Sequence, residues 1–384
     1  MPHTLPTEML TAWLRLSLTP GLGPIQGQRL LNHFTNPLAI VQCSASQLAA
    51  LVPKTLCERL LSARGSAVSK QIDEAMEWAS AADQIILTPD QAHYPALLKH
   101  TADAPMVLYT KGQLRRLAQP SLAIVGARNA TPDGWDHAQV FARYLAEQGW
   151  CVVSGLAHGI DAAAHRGAIA AGARGGGTIA VFGTGADLVY PRNHVDLVKQ
   201  VLDTDGLILS EFALGTPARP QHFPRRNRIV AGLTRGVLVV EAALKSGSLL
   251  TAKFAVELDR EVFAIPGSIH SPLSRGPHAL IQEGAKLVES GADILNELSA
   301  FNPSPMTPSE PNHDSGLITE SVSHPTPLSP IWDAIGYDPI TIDLLQQRTN
   351  MLPAILQCEL LTLELNGDIE RRPNGRIVRS RRRP

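Results

Sequence analysis

At 384 residues with a formal net charge of -1 and a pI near 6.9, the chain is long enough for two or three domains, and its global charge announces no polyanion binder. A site for nucleic acid would have to come from local clustering of charge. Four scattered cysteines, Cys43, Cys57, Cys151 and Cys358, lack C-x-x-C spacing, which argues against a zinc site or a disulfide framework and points to a reducing compartment.

Met1 to Leu18 has no basic segment followed by an apolar one, and no uninterrupted run of about 18 apolar residues occurs. The expectation is a soluble, cytoplasmic protein without membrane contact. Residues 1–82 read as helices. Trp13, Leu14, Leu16 and Leu18 on one side and Leu30, Leu31 and Phe34 on the other flank the turn Pro20-Gly21-Leu22-Gly23-Pro24. That is the pattern of a helix-hairpin-helix, or SAM-like, domain, whose glycines bring main-chain NH groups near a phosphate. A purely structural helical hairpin fits equally, since Arg29 is the sole cation just after the turn.

Between residues 83 and 300 short apolar runs alternate with helical stretches. The runs are Ile85-Leu87, Leu122-Val125, Cys151-Val153, Thr178-Phe182, Leu207-Leu209, Val237-Val240, Val262-Ile265 and Leu287-Val288. Their length and their apolar successive residues predict strands buried on both faces of a parallel sheet. Helices are predicted at Pro132-Gln148, Asp161-Ala171, Asn193-Leu202, Arg226-Leu233, Leu249-Leu258 and Pro277-Gln282, with Thr131-Pro132 as a cap and first-turn proline. The fold class is therefore α/β, a doubly wound, mainly parallel Rossmann-like sheet with its ligand face at the carboxyl ends of the strands.

Residues 301–327, rich in Pro and Ser, are predicted to be a linker. Residues 328–384 show three helical patterns, Ile331-Ile335, Thr341-Gln347 and Leu352-Leu365, then two short strands around Pro373-Asn374-Gly375, as in a winged helix. The arginine-rich end after Arg371 is either a basic wing for nucleic acid or a solubilising tail.

Three stretches carry candidate chemistry. The first strand of the α/β region ends in Val125-Gly126-Ala127-Arg128-Asn129, with Arg128 where a dinucleotide motif needs its second glycine. A guanidinium there replaces close backbone approach with a fork for a phosphate, so dinucleotide binding in the usual mode is not expected. The next strand runs into Ser154-Gly155-Leu156-Ala157-His158-Gly159-Ile160-Asp161, where two glycines can aim NH groups at an anion and Asp161 is placed to cap the following helix. His158, Asp161 and His165 could be imagined around a metal, but nothing nearby completes such a set, and no metal or cofactor is expected. The third stretch is Gln221-His222-Phe223-Pro224-Arg225-Arg226-Asn227-Arg228. No acid lies between Glu211 and Glu241, and an aromatic beside clustered arginines suits nucleic acid, although an amphipathic helix start with solvated arginines has the same look. Ser246-Gly247-Ser248 is a further flexible turn near a strand end, and Tyr190-Pro191-Arg192-Asn193 reads as a loop with Asn193 capping a helix. Walker A spacing, a G-x-S-x-G elbow and a Ser-His-Asp set are missing, which speaks against ATP hydrolysis and against acyl transfer.

These segments, taken in order with Val240-Glu241-Ala242 and Phe263-Ala264-Ile265-Pro266-Gly267, resemble the DNA-processing protein A family (DprA, also called Smf). The resemblance implies a non-enzymatic protein that binds and protects incoming single-stranded DNA and loads the RecA recombinase onto it in natural transformation. It implies dimerisation through the α/β domain and a RecA contact on an overlapping face. It also implies a DNA-binding set of Gly126, Arg128, Ser154, Gly155, Gly159, Arg219, Phe223, Arg225, Arg226, Asn227, Arg228, Ser246 and Gly247, with Phe223 stacking a base and Arg128 on the same side of the molecule. Many members carry a Lys where this chain has Pro220; either Arg219 beside it supplies the charge from a shifted position, or one contact is missing. The rival reading is a nucleotide-processing enzyme of the lysine-decarboxylase-like or phosphoribohydrolase type. It would need a P-G-G-x-G-T-x-x-E signature, whereas Pro266-Gly267 is followed by Ser268-Ile269.

Overall fold

The computed structural model describes residues 5–62, 67–172, 174–300, 331, 335, 339–349, 351–373 and 375–380. The proposed linker 301–327, the middle of the Ile331-Ile335 pattern, Asn374 and the last four residues lie outside the described residues. By its internal contacts the chain divides into two units, Met1–Ser304 and Pro305–Pro384.

The first unit opens with six helices: α1 (Thr7–Leu18), α2 (Pro24–Phe34), α3 (Pro37–Gln42), α4 (Ala45–Ala49), α5 (Lys54–Ser62) and α6 (Ala67–Trp78). Gly21, with φ +89°, makes the turn between α1 and α2, and Arg59 Nη1 donates to the Pro20 carbonyl at 3.2 Å. Trp13, Leu14, Leu16, Leu30 and Leu48 are buried together and share one cluster with Ile86, Met106 and Tyr109. The helices are thus packed onto the edge of the sheet that follows.

That sheet has nine strands: β1 (Gln84–Leu87), β2 (Leu108–Gly112), β3 (Ser121–Val125), β4 (Cys151–Ser154), β5 (Thr178–Val181), β6 (Leu207–Ser210), β7 (Gly236–Val239), β8 (Glu261–Ala264) and β9 (Lys286–Leu287), and the helices between them include α7 (Ala96–Lys99), α10 (Val195–Asp203) and α13 (Arg275–Gln282). Their spatial order is β1-β2-β6-β5-β4-β3-β7-β8-β9. From β6 to β9 all neighbours are parallel, while β2 pairs antiparallel with both β1 and β6. The sequence patterns marked the other eight strands but not β2. Leu108-Tyr109-Thr110-Lys111-Gly112 mixes apolar and polar residues, and its assignment is decided by tertiary pairing between two strands that flank it.

Period-2 alternation sorts the strand residues onto two buried faces. Ala123, Val125, Val153, Val181, Leu209 and Val239 face one cluster with Ile229 and Val230 of α11 (His222–Gly232) and Ala252 and Ala255 of α12 (Gly247–Glu257). Leu122, Ile124, Val152, Leu238 and Phe263 face the other, against Phe141 and Leu145 of α8 (Pro132–Glu147), Ala163 and Ala164 of α9 (Ile160–Ala170), and Ile294 of α14 (Gly291–Ala300). Each fully buried Leu, Ile or Val contributes roughly 1.5–3 kcal/mol, which makes the sheet a rigid platform for the loops at its carboxyl edge. Between β3 and β7 the chain order reverses, because β4, β5 and β6 extend the sheet one way and β7 returns to the other side of β3. That is the switch point of a doubly wound sheet, where the carboxyl-end loops diverge and leave a crevice.

Thr131 caps α8 by accepting from Gly134 N at 3.0 Å, with Pro132 in the first turn. The carboxylate of Glu241, just after β7, accepts from Thr131 N at 2.9 Å and from its hydroxyl at 2.5 Å, so the loops on either side of the switch point are joined. In the second unit, helices Ile342–Thr349 and Pro353–Leu365 are followed by an antiparallel hairpin of β10 (Ile369–Arg371) and β11 (Ile377–Arg379). Ile331, Ile335, Ile340, Leu345, Leu356, Leu360, Ile369 and Ile377 form its core.

Candidate nucleic-acid interface

A cleft of about 590 Å³ opens at the switch point. Val125, Gly126 and Arg128 from the β3 loop line one side, Ser246, Gly247 and Ser248 at the start of α12 another, and Arg219, Phe223, Arg226 and Asn227 a third. Arg128 is exposed, and its Cζ lies 5.5 Å from the centroid of the Phe223 ring, within the range of a cation–π contact. The two residues are thus neighbours in space although 95 positions apart in the chain, as their numbers show.

Gly126 is required by crowding. A Cβ there would lie 2.6 Å from Ile160 Cγ1 and 2.8 Å from the Glu241 carbonyl oxygen, so the chain can pass between β7 and α9 only without a side chain. Gly159, with φ +71°, precedes α9, and a Cβ on it would collide with the Ala127 carbonyl. Between these two glycines Leu156 adopts φ +59° with its side chain fully buried. His194 Nδ1 donates to its carbonyl at 3.0 Å, one of the contacts that hold this left-handed residue in place.

Asp161 does not cap α9, as its position in the sequence suggested. Its Oδ2 accepts from Gly155 N at 3.1 Å and from Ala157 N at 3.2 Å, so it ties down the loop before the helix, and the capping position falls on Gly159. Those amide groups are consequently occupied rather than aimed at an anion. Burial raises the Asp161 pKa, opposed by the charge of Arg226 and by the two amide bonds.

Arg226 is the buried centre of the cleft floor. Its Nη1 donates to the Gly155 carbonyl and, at 2.5 Å, to that of Val181, and its Nε donates to Asn227 Oδ1 at 3.1 Å. Asn227 Nδ2 in turn donates to the Gly247 carbonyl at 3.1 Å. This single network joins the ends of β4 and β5 to the start of α12. Burial lowers the Arg226 pKa to about 10, so the group stays charged at neutral pH. Gly155 is small because the guanidinium fills the space of its missing side chain.

The remaining arginines of the third stretch divide. Arg228 is buried, donating through Nη2 to Glu211 and through Nη1 to the Asp103 carbonyl at 2.6 Å, and it does not line the cleft. Arg225 is half exposed, stands over Phe212 at 5.1 Å and lies 3.7 Å from Glu211. Glu211, which borders the acid-free window of the sequence, therefore folds back onto two of its arginines. The window is less positive in space than in sequence. Ser154 is wholly buried, its hydroxyl donating to the Ile124 carbonyl at 2.7 Å. Of the thirteen residues singled out in the sequence, the cleft brings together Gly126, Arg128, Arg219, Phe223, Arg226, Asn227, Ser246 and Gly247, while Ser154, Gly155, Gly159, Arg225 and Arg228 stand behind or beside it. Arg219 and Pro220 both line it, so a cation is present beside the proline.

Three readings of detail change. The helix bearing Phe223 begins at His222 rather than Arg226, so the ring projects from its first turn. Asn193 lies within a single turn of 3-10 helix, Arg192–His194, and is not a cap. Tyr190, from the loop after β5, lines the cleft where Arg192 does not; an aromatic on a carboxyl-end loop was the available signal. The imagined metal set is also parted by its hydrogen bonds: Asp161 serves the loop amides, and His165 Nδ1 lies 2.7 Å from Thr178 Oγ1.

The fold and cleft are those of a doubly wound α/β protein that carries a guanidinium and an aromatic ring at its switch point. The chain belongs to the DNA recombination-mediator protein A family, whose model matches residues 85–299, and the model of the DprA winged helix domain matches residues 319–375. It is similar to Protein Smf of Escherichia coli strain K12, 38% identical over 314 residues that cover 82% of each chain. To DNA processing protein DprA of Streptococcus pneumoniae it is 49% identical over 204 residues, 53% of this chain and 71% of that one. The X-ray structure of DNA processing protein A from Streptococcus pneumoniae matches with a TM-score of 0.65 at 37% identity, covering 77% of this chain and 98% of that chain. Among the described residues no helix is long and apolar enough to cross a membrane.

Proposed function

We propose that this chain is a single-stranded DNA-binding recombination mediator of natural transformation, which protects incoming strands and loads RecA onto them. The observation that carries the reading is the Arg128–Phe223 pair at the mouth of the switch-point cleft. Phe223 offers a π-face to any base, and Arg128 and Arg219 offer charge to the adjoining phosphates, a combination that is tolerant of sequence. Asn227, Ser246, Gly247 and Gly126 complete the contact set. Ser154, Gly155, Gly159, Arg225, Arg226 and Arg228 shape and brace it. The reading is non-catalytic: the acids nearest the cleft, Asp161 and Glu241, are committed to backbone amides and to Thr131. Nothing in the geometry favours the phosphoribohydrolase alternative.

The same reading carries dimerisation through the α/β domain, a RecA contact on an overlapping face, a cytoplasmic location and a division into 1–82, 83–300, 301–327 and 328–384. It is supported by membership of the recombination-mediator family. Affinities for single- and double-stranded oligonucleotides of one length, measured at fixed salt for the protein and for Arg128→Ala, test it. Preference for the single strand, weakened in the variant without loss of folding, is expected. Equal affinity for both forms, or an unchanged variant, would contradict it.

A further inference from the structure

Tyr190 is a large aromatic side chain left 48% exposed on the loop after β5. Its hydroxyl has no hydrogen bond among the described residues, and its one ring contact is with Phe223, whose centroid is 5.6 Å away at an interplanar angle of 41°. Both rings line the same cleft. A flat base inserted between two rings needs them about 7 Å apart, twice a carbon–carbon contact distance, so this pair is closed to insertion. Gly183 passes close to one part of the Phe223 ring, where a Cβ would lie 3.1 Å from Cδ1. Arg128 stands over the ring as well. Neither of these contacts involves Tyr190, whose ring stays half exposed beside Phe223 and tilted 41° from it.

We propose that Tyr190 is a second base-stacking platform, and that its tilt against Phe223 makes the cleft discriminate against paired strands. The proposal rests on the single-strand reading of the cleft and adds a residue and a selectivity device to it. Two successive bases seated on the two rings must themselves be inclined by about the same 41°, hence unstacked from each other. An unpaired strand can take up that geometry, because its backbone rotates freely and each stack lost between bases is replaced by one on protein. A duplex holds successive bases parallel and offers at most one of them.

The test uses the full chain and fluorescence anisotropy at fixed salt with three probes of about 15 nucleotides, the upper range of site sizes for such grooves: oligo-dT, an abasic strand of equal length, and a duplex. Tyr190→Ala is expected to weaken oligo-dT binding roughly 5- to 100-fold, the worth of one base–aromatic stack, to leave the abasic strand unaffected and so to narrow the gap between single strand and duplex. Tyr190→Phe should behave as the parent. The proposal is overturned if Tyr190→Ala binds oligo-dT as the parent does, or if it loses dT and abasic strands alike, which would mark a packing role. If Phe223→Ala weakens dT binding and Tyr190→Ala does not, Tyr190 alone falls. If the parent binds dT no better than the abasic strand, the cleft reading falls with it.

Discussion

The guanidinium of Arg226 lies where a side chain at Gly155 would be, and donates to that glycine's carbonyl. Both residues therefore answer to one constraint: the guanidinium that lines the cleft takes the space of a side chain at position 155. Family resemblance would make Arg226 a phosphate ligand, but its Nη1 and Nε are spent on Gly155, Val181 and Asn227. Those bonds fix three of the segments that meet at the cleft.

Gly155→Ala should force this arrangement apart. A methyl group set against a buried guanidinium is expected to cost about 1–3 kcal/mol, and Arg226→Ala about 1–3 kcal/mol for each of the buried Gly155 and Val181 carbonyls that loses this donor. Urea unfolding of each variant gives these values. The double variant should cost less than the sum, since the methyl group no longer meets the guanidinium. Simple additivity would show that the two sites do not communicate.

His165 predicts an acid-side loss of stability. Its Nδ1–H donates to Thr178 Oγ1, because the threonine hydroxyl is itself spent on the Val152 carbonyl at 2.7 Å. Its Nε2 is buried without a partner among the described residues. Burial, aided by the charges of His194 and Arg226, lowers its pKa from 6.5 to about 3. The unfolded chain thus binds a proton that the folded one refuses. The stability contribution is complete above pH 6.5 and falls as pH drops towards 3. Between pH 7 and pH 5 this group should remove about 2 kcal/mol, measurable by urea titration at the two values. His165→Gln should flatten that difference. A steeper decline in the variant would refute the assignment.

The winged-helix unit should contribute little to single-strand affinity. Its helix Pro353–Leu365 contains no Lys or Arg, carries Glu359 and Glu364, and leaves Leu361 and Leu365 exposed. That helix cannot neutralise phosphates, which leaves the unit's cations to Arg348 and to the arginine-rich segment from Arg371, in a unit separate from the one that holds the switch-point cleft. A chain ending after residue 303 should retain affinity for oligo-dT within about threefold, well under the 1.4 kcal/mol that a tenfold change represents. A loss of most of the affinity in a gel shift would instead assign the contact to the second unit.

Much of the architecture could be read directly from the chain. Parallel strands such as Leu122–Val125 and Val237–Val240 announce themselves because burial on both faces leaves only apolar residues, whereas β2 is set by its neighbours and carries Lys111 and Gly112 within its span. That Arg128 and Phe223 lie together was an implication of the family resemblance, and the two residues are neighbours in the fold. The division of labour among Arg225, Arg226 and Arg228 was not legible, because it depends on Glu211, Asp103 and the Gly155 carbonyl, partners brought in by folding from 14 to 125 positions away. Asp161 was misplaced for a related reason. Proximity to a helix start suggests a cap, but the loop before it turns its own amides towards the carboxylate and claims it first.

Salt dependence tests the central claim most directly, since it separates charge from stacking at the Arg128–Phe223 pair. The slope of log affinity for oligo-dT against log salt concentration should be shallower by about 0.7 in Arg128→Ala, the value of one phosphate contact on a single strand. In Phe223→Ala the slope should be unchanged, although its affinity falls by about 1–3 kcal/mol. Parental slopes and parental affinities in both variants would contradict the account.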